Sequence, residues 1–239
     1  MPQLTGITTL KATLKLVTGL RIGAGDSEMH IGGVDNTVIR HPHTNAPYIP
    51  GSSLKGKMRS LLEWRSGEVK EEPLDKKALN SASEKTRPEV KRILQLFGIG
   101  AGERNDDQYL IRELGPTRVS FWDCMLNDEW EKQIRADDFS PIEVKSENSI
   151  NRISGLALNP RQTERVPAGA KFDFRLSIKR LDGDGDDLLN TVLQGLKLLE
   201  LDRVGGSGSR GYGKVKFVNL TIDDINSQTR LDAVKPFER

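Results

Sequence analysis

From Lys171 to Arg180 apolar and polar residues alternate without interruption: Phe172, Phe174, Leu176 and Ile178 interleave with Lys171, Asp173, Arg175, Ser177 and Lys179. Successive side chains of a β-strand point to opposite faces, so this pattern demands a strand with one face buried and the other in water. Thr9–Leu16 repeats it, with Leu10, Ala12, Leu14 and Leu16 on one side and Thr9, Lys11, Thr13 and Lys15 on the other. Half-buried strands need a second layer. Asp186–Leu199 supplies one, an amphipathic helix with Leu188, Leu189, Val192, Leu193, Leu196 and Leu199 as its apolar set. A second helix runs from a Ser52 cap to about Arg65, with Leu54, Met58, Leu61 and Leu62 on one side and Lys55 and Arg59 forming a basic edge.

Weaker signals fill in the rest. Thr37–Arg40, Thr117–Trp122 and Lys214–Ile222 read as strands, and Glu89–Phe97 as a short helix. Gly67–Arg87 is polar and reads as an irregular insertion, and Gly98–Asp107 reads as a loop. Leu126–Pro141 has no clear pattern, and Val144–Val166 is charged without a long apolar face, which suits a protruding hairpin. The order strand, helix, strand, polar excursion, strand, helix, strand fits an α+β fold with helices on one face of a largely antiparallel sheet. A ferredoxin-like core interrupted by insertions satisfies it.

The 239 residues carry a net charge of only +2, so no gross excess points to a polyanion. Distribution matters more than the sum. Gly51–Arg65 holds Lys55, Lys57, Arg59 and Arg65 against Glu63 alone, and Lys145–Arg180 holds eight Lys/Arg against Glu147, Glu164 and Asp173. The single cysteine, Cys124, excludes an internal disulfide and a multi-cysteine zinc cluster. Met1–Leu20 does not read as a signal peptide and no apolar run is long enough to span a bilayer, so the expected compartment is the cytoplasm.

Four segments carry candidate chemistry. In Tyr48–Arg59 a Pro-Gly turn delivers Ser52 and Ser53 to a helix start, where backbone N–H groups and the helix dipole favour an anion. Lys55 and Arg59 extend that charge, which suits a phosphate backbone; the other reading is an ordinary capped helix with solvated lysines. In Val204–Gly213 five glycines allow close backbone approach, with Arg210 for charge and Tyr212 as a stacking surface; the other reading is a linker. Glu147–Val166 interleaves Arg152, Arg161 and Arg165 with Ile150, Ile153, Leu156 and Leu158, a basic hairpin with an apolar tip or a salt-bridged surface hairpin. Asp35 follows a glycine pair, where a lone Asp commonly bonds its own backbone. His30, His41 and His43 lie near it in sequence, as acid–base partners or as plain surface residues.

Together these segments resemble the RAMP superfamily of CRISPR-associated proteins, specifically the repeated backbone subunit of type III-A (Csm-type) effector complexes. The matching residues are Gly23-Ala-Gly, Val34-Asp35, Pro47–Arg59, Leu96-Phe-Gly98, the Asn159-Pro-Arg-Gln and Glu164-Arg-Val runs, and the loop Gly205–Gly213, in order along nearly the whole chain. The resemblance implies one domain over residues 1–239: a modified ferredoxin-like/RRM core with a lid-like insertion near 67–115 and a thumb near 125–168. It implies that Ser52, Ser53, Lys55, Arg59, Arg21, Gly206, Ser207, Gly208 and Arg210 hold a CRISPR RNA guide. Asn151, Arg152, Asn159, Arg161 and Arg165 of the thumb would meet target RNA. Copies would stack as a helical filament, each thumb flipping out every sixth nucleotide of its neighbour's guide–target duplex. Asp35 would cut there, holding a transient divalent metal ion, Mg or Mn; no structural zinc is expected. Further implied partners are the large polymerase-like subunit, the small helical subunit and the subunit capping the guide's 5′ end. Competing readings are a non-catalytic RNA scaffold, the related type III-B backbone subunit, and a small-molecule enzyme using the glycine loop for a nucleotide phosphate.

Overall fold

The computed structural model describes residues 2–24, 36–99 and 113–238. At the centre of the molecule is a five-stranded sheet. The first strand, β1 (Leu4–Leu16), pairs on one side with β5 (Lys171–Leu181) and on the other with β6 (Val215–Ile222). β2 (Val119–Phe121) extends the sheet beyond β5, and β7 (Ile225–Asn226) beyond β6, giving the order β2-β5-β1-β6-β7 with every pairing antiparallel. The four long-range strands are thus ordered second, third, first, fourth along the chain, which is the split βαβ arrangement of a ferredoxin-like core.

Alternation places the core as the sequence requires. Leu10, Leu14, Phe172, Phe174, Leu176, Ile178, Phe217 and Leu220 are buried on one face, and Lys15, Lys171, Asp173, Lys179 and Lys216 are exposed on the other. The buried face is covered by α1 (Gly51–Ser66), α3 (Arg87–Phe97) and α5 (Asp187–Leu201), with α2 (Lys76–Ser81) packed beside α3. α1 and α5 approach closely because Gly195 has no side chain: a Cβ there would meet Met58 Sδ at 2.7 Å. α6 (Gln228–Asp232) closes one end by burying Leu231.

Two helices lie where the sequence shows only polar composition. α2 is started by Asp75, whose carboxylate accepts from Ala78 N at 2.7 Å, and it buries Ala78 and Leu79. α4 (Asp128–Ala136) is started by Asn127, whose side chain accepts from Trp130 N at 3.1 Å. It buries no residue fully; its apolar side is only the half-buried pair Trp130 and Ile134, one turn apart, with Trp130 against the core. Thr37–Arg40, expected as a strand, makes only isolated bridges, Gly23 with Val38 and Arg40 with Pro47.

The polar stretch after α4 forms a hairpin outside the main sheet, β3 (Glu143–Ile150) against β4 (Ala157–Arg165). β4 is exposed on both faces until it reaches Thr163 and Glu164, and β3 alternates between exposed and half-buried positions. A register slip between Glu147 and Ser149 falls opposite Asn159, at φ 51°, and Pro160, which has no N–H to pair.

Candidate nucleic-acid interface

Three stretches of chain meet at the foot of this hairpin. Leu20 exchanges both backbone hydrogen bonds with Val166, at 2.9 and 2.8 Å. Asn36 pairs in parallel with Thr163, and its carbonyl accepts from Glu164 N at 2.9 Å. Glu164 then staples the joint. Its Oε2 accepts from Val38 N at 3.0 Å and its Oε1 from Arg40 Nη2 at 2.7 Å.

The glycine-rich loop closes on the same place. Gly206 N donates to Arg21 O at 2.9 Å and Gly213 N to Gly19 O at 2.9 Å. Gly205 (φ 74°) and Gly213 (φ 79°) both sit in the left-handed region, and a Cβ would strike Arg21 O at the first and Val204 O at the second. Between them Gly208–Arg210 forms one 3₁₀ turn. The loop is therefore a shaped edge packed against Leu20–Arg21, and the linker reading is set aside.

Arg21 joins these parts. Its Nη2 donates to Asn36 Oδ1 at 2.8 Å, and its carbonyl holds Gly206. Its Nε is buried and finds no acceptor among the described residues.

At the mouth of the loop Arg210 Nε lies 3.0 Å from Glu147 Oε2, and Tyr212 Oη donates to Glu147 Oε1 at 2.8 Å. The ring of Tyr212 lies between Lys145 Nζ, 4.6 Å from its centroid, and the Arg165 guanidinium at 5.0 Å. The Tyr212 hydroxyl and the Arg210 and Lys145 cations hold the Glu147 carboxyl below its ordinary range, against the opposing effect of burial. Burial and the Glu147 carboxylate push the Tyr212 phenol up. Tyr212 is 1% exposed, so it is a structural ring and offers no stacking surface.

The start of α1 corrects two further expectations. Ser52 does not cap the helix, which begins at Gly51; Gly51 N donates instead to Asp123 Oδ1 at 2.7 Å. A carboxylate of the protein thus already answers the positive end of the dipole. Arg59 turns inward, donating to Glu63 at 2.7 Å and to the carbonyls of Gly98 at 3.1 Å and Leu74 at 2.6 Å. It braces α1, and its guanidinium does not point outward to a phosphate. Ser52 is exposed, and Ser53 and Lys55 are half-buried. Lys57 ties α1 to the head of the glycine loop through Asp202 at 2.5 Å.

On the hairpin, Arg152, Asn159 and Arg161 are exposed, whereas Arg165 pairs with Glu143 at 2.6 Å. Asn151 shapes the tip turn, its Oδ1 accepting from Ile153 N at 2.9 Å and Ser154 N at 3.0 Å. That turn presents Ile150, Ile153, Leu156 and Leu158 to solvent, Ile153 being 98% exposed. No core claims these side chains.

Asp35 and His30 lie outside the described residues. The rings of His41 and His43 meet edge to face at 5.6 Å, and His41 Nδ1 accepts from the amides of His43 and Thr44, both at 3.4 Å. Among the described residues no group of three or more His, Cys, Asp and Glu side chains converges to hold a metal ion. Cys124 is fully buried, and burial pushes its thiol up to about 12. No described helix is long and apolar enough to cross a membrane.

The sequence profile of the RAMP superfamily matches residues 13–216. A protein of Methanothermobacter thermautotrophicus named CRISPR system Cms endoribonuclease Csm3 is 42% identical over 220 residues, covering 86% of this chain and 81% of its own length. The Streptococcus thermophilus protein of the same name is 40% identical over 224 residues, covering 90% and 88%. Among solved structures, the Csm3–Csm4 subcomplex of the type III-A CRISPR-Cas interference complex aligns with a TM-score of 0.54 at 29% identity, over 92% of this chain and 80% of that one.

Proposed function

Because the chain belongs to the RAMP superfamily and within it to the Csm3 family, we propose that it is the repeated backbone subunit of a type III-A CRISPR ribonucleoprotein and an endoribonuclease. It binds a CRISPR RNA guide and cuts complementary target RNA. The observation that carries this reading is the joint at the hairpin foot. One edge unites the glycine loop, Arg21 and Asn36 with a hairpin that lifts an apolar tip into solvent.

Each part has a task there. The glycine loop and Arg21 offer amides and charge to the guide's phosphates, with Ser52, Ser53 and Lys55 of α1 alongside. Ile150, Ile153 and Leu156 form a wedge able to part stacked bases in a neighbouring copy's guide–target duplex. Arg152, Asn159 and Arg161 flank that wedge along the strands. Asp35 is bonded to Asn36, which the hairpin foot and Arg21 both hold.

A splayed nucleotide can align its own 2′-oxygen for in-line attack on the adjacent phosphorus. The bond to the 5′-oxygen then breaks, leaving a 2′,3′-cyclic phosphate and a 5′-hydroxyl. A donor set of one carboxylate with phosphate oxygens suits magnesium or manganese, hard ions content with few protein ligands. Such an ion, held at Asp35, would stabilise the charge developing on the phosphate.

In the assembly the partners are further copies of this chain, the polymerase-like subunit, the small helical subunit and the guide-capping subunit, in the cytoplasm. The test is the assembled, guide-loaded complex with matched end-labelled target RNA and magnesium. A ladder of cuts at six-nucleotide steps is expected. An intact target would leave only the scaffold reading.

A further inference from the structure

Glu147 is an acidic side chain set among the cations of the hairpin and the glycine loop where the two touch. Its carboxylate receives the Tyr212 hydroxyl at 2.8 Å, Arg210 Nε at 3.0 Å and Lys145 Nζ at 3.5 Å. Two of these donors come from the loop and one from β3, so the carboxylate is a polar bridge between them. Its side chain is 13% exposed, while Arg210 is 49% exposed and open to a ligand from outside. Lys145, at 36%, is partly so.

The donors suit a different anion equally well. A phosphodiester carries the same single charge as a carboxylate and likewise presents two oxygens, so one can replace the other without leaving net charge behind. The segment the loop packs against holds a buried donor with no acceptor among the described residues, Arg21 Nε, and the Arg21 carbonyl accepts from Gly206 N. An edge that holds its own anion at one end and, among the described residues, an unanswered donor at the other has the donors to receive a further anion.

We propose that Glu147 is a resident stand-in for an RNA phosphate. A phosphodiester of single-stranded RNA takes the socket of Tyr212 Oη, Arg210 Nε and Lys145 Nζ, and Glu147 swings out. The exchange severs the polar bridge between hairpin and glycine loop, leaving the hairpin held at its foot by the Leu20–Val166 pair and Glu164. An ion pair open to solvent on its Arg210 side opposes the exchange less than a fully buried one, and a polyelectrolyte gains by shedding its counterions. The exchange rests on the guide-binding role of the glycine loop.

The test compares the full chain with Glu147→Gln, Glu143→Gln and Arg210→Ala, and with Glu147→Gln in the Arg210→Ala background. Anisotropy of a fluorescein-labelled single-stranded RNA reads affinity, and thermal melting reads folding. Glu147→Gln keeps an acceptor for Tyr212 and removes the competing charge. It should tighten binding about two- to fivefold, the size of one solvent-facing ion pair. The gain should vanish in the Arg210→Ala background, because the socket is then incomplete. Glu143→Gln, which removes an equal charge on the same hairpin, should gain less. Unchanged or weaker binding by Glu147→Gln, or an equal gain from Glu143→Gln, overturns the exchange and leaves the guide-binding role standing. A wild-type chain that binds no RNA overturns both.

Discussion

Glu164 is where the hairpin foot, the segment after Asp35 and the main body are held in register, so its removal tests the joint. Glu164→Ala takes the acceptor from the buried Val38 amide and the partner from Arg40. An unanswered buried amide costs about 1–3 kcal/mol. The Arg40 pair, with Arg40 30% exposed, adds at most about 1 kcal/mol after solvent screening. The expected loss is about 1–4 kcal/mol, which lowers a urea midpoint by about 0.5–2 M at a slope of about 2 kcal/mol per M. Glu164→Gln keeps an acceptor for Val38 and loses only the charge, so its cost should stay near 0.5–1 kcal/mol, on the order of one exposed pair. Equilibrium urea unfolding of the three chains measures both. Equal losses for Ala and Gln, or an Ala variant within about 0.5 kcal/mol of wild type, would refute the view that Glu164 holds this joint.

Arg118 and Asp184, both nearly buried, are joined at 2.9 and 3.2 Å; Asp184→Ala strands the guanidinium and should cost about 3–5 kcal/mol by chemical unfolding. Burial opposes the charged form of Asp184, but Arg118 and the Leu181 amide outweigh it and hold the carboxyl below its ordinary value. Its stabilisation is therefore complete above an unfolded pKa of about 3.9 and is lost as pH falls through the lower folded value. The stability gap between wild type and Asp184→Asn should be full at neutral pH and narrow only as pH falls below about 4; a gap that does not narrow on further acidification would contradict it. Ile153→Asp at the exposed tip should change stability by less than about 0.5 kcal/mol, yet reduce target cleavage in the assembled complex while guide binding holds. Undiminished cleavage would remove the wedge role.

The core is legible because burial writes itself into spacing. Lys171–Leu181 and Asp187–Leu201 each bury one face, and their alternation and stripe announce it. Elements that bury little leave a fainter trace. α4 has no fully buried residue, and β3 alternates only between exposed and half-exposed positions, so composition indicates a loop or a hairpin and no boundaries. Side-chain roles are harder still, since they depend on what folds nearby. Arg59 has the spacing of a basic edge, but Leu74 and Gly98 bring carbonyls to it. The cap of α1 comes from Asp123, seventy-two residues away, and not from the adjacent Ser52. Tyr212 looks like a stacking ring until Lys145 and Arg165 cover it. Glu147 is visible in the sequence only as one acid among many cations. By sequence alone Asp35 reads as a turn residue, and only the resemblance singles it out.

The cutting role proposed for Asp35 on RNA held at this edge is open to a direct measurement: the pattern of target fragments from guide-loaded complexes carrying either wild-type subunits or Asp35→Ala, with target binding measured on the same samples. Asp35→Ala should abolish the six-nucleotide ladder while target affinity stays within about twofold of wild type, and wild-type fragments should end in 2′,3′-cyclic phosphates. An undiminished ladder from the Asp35→Ala complex would refute that role.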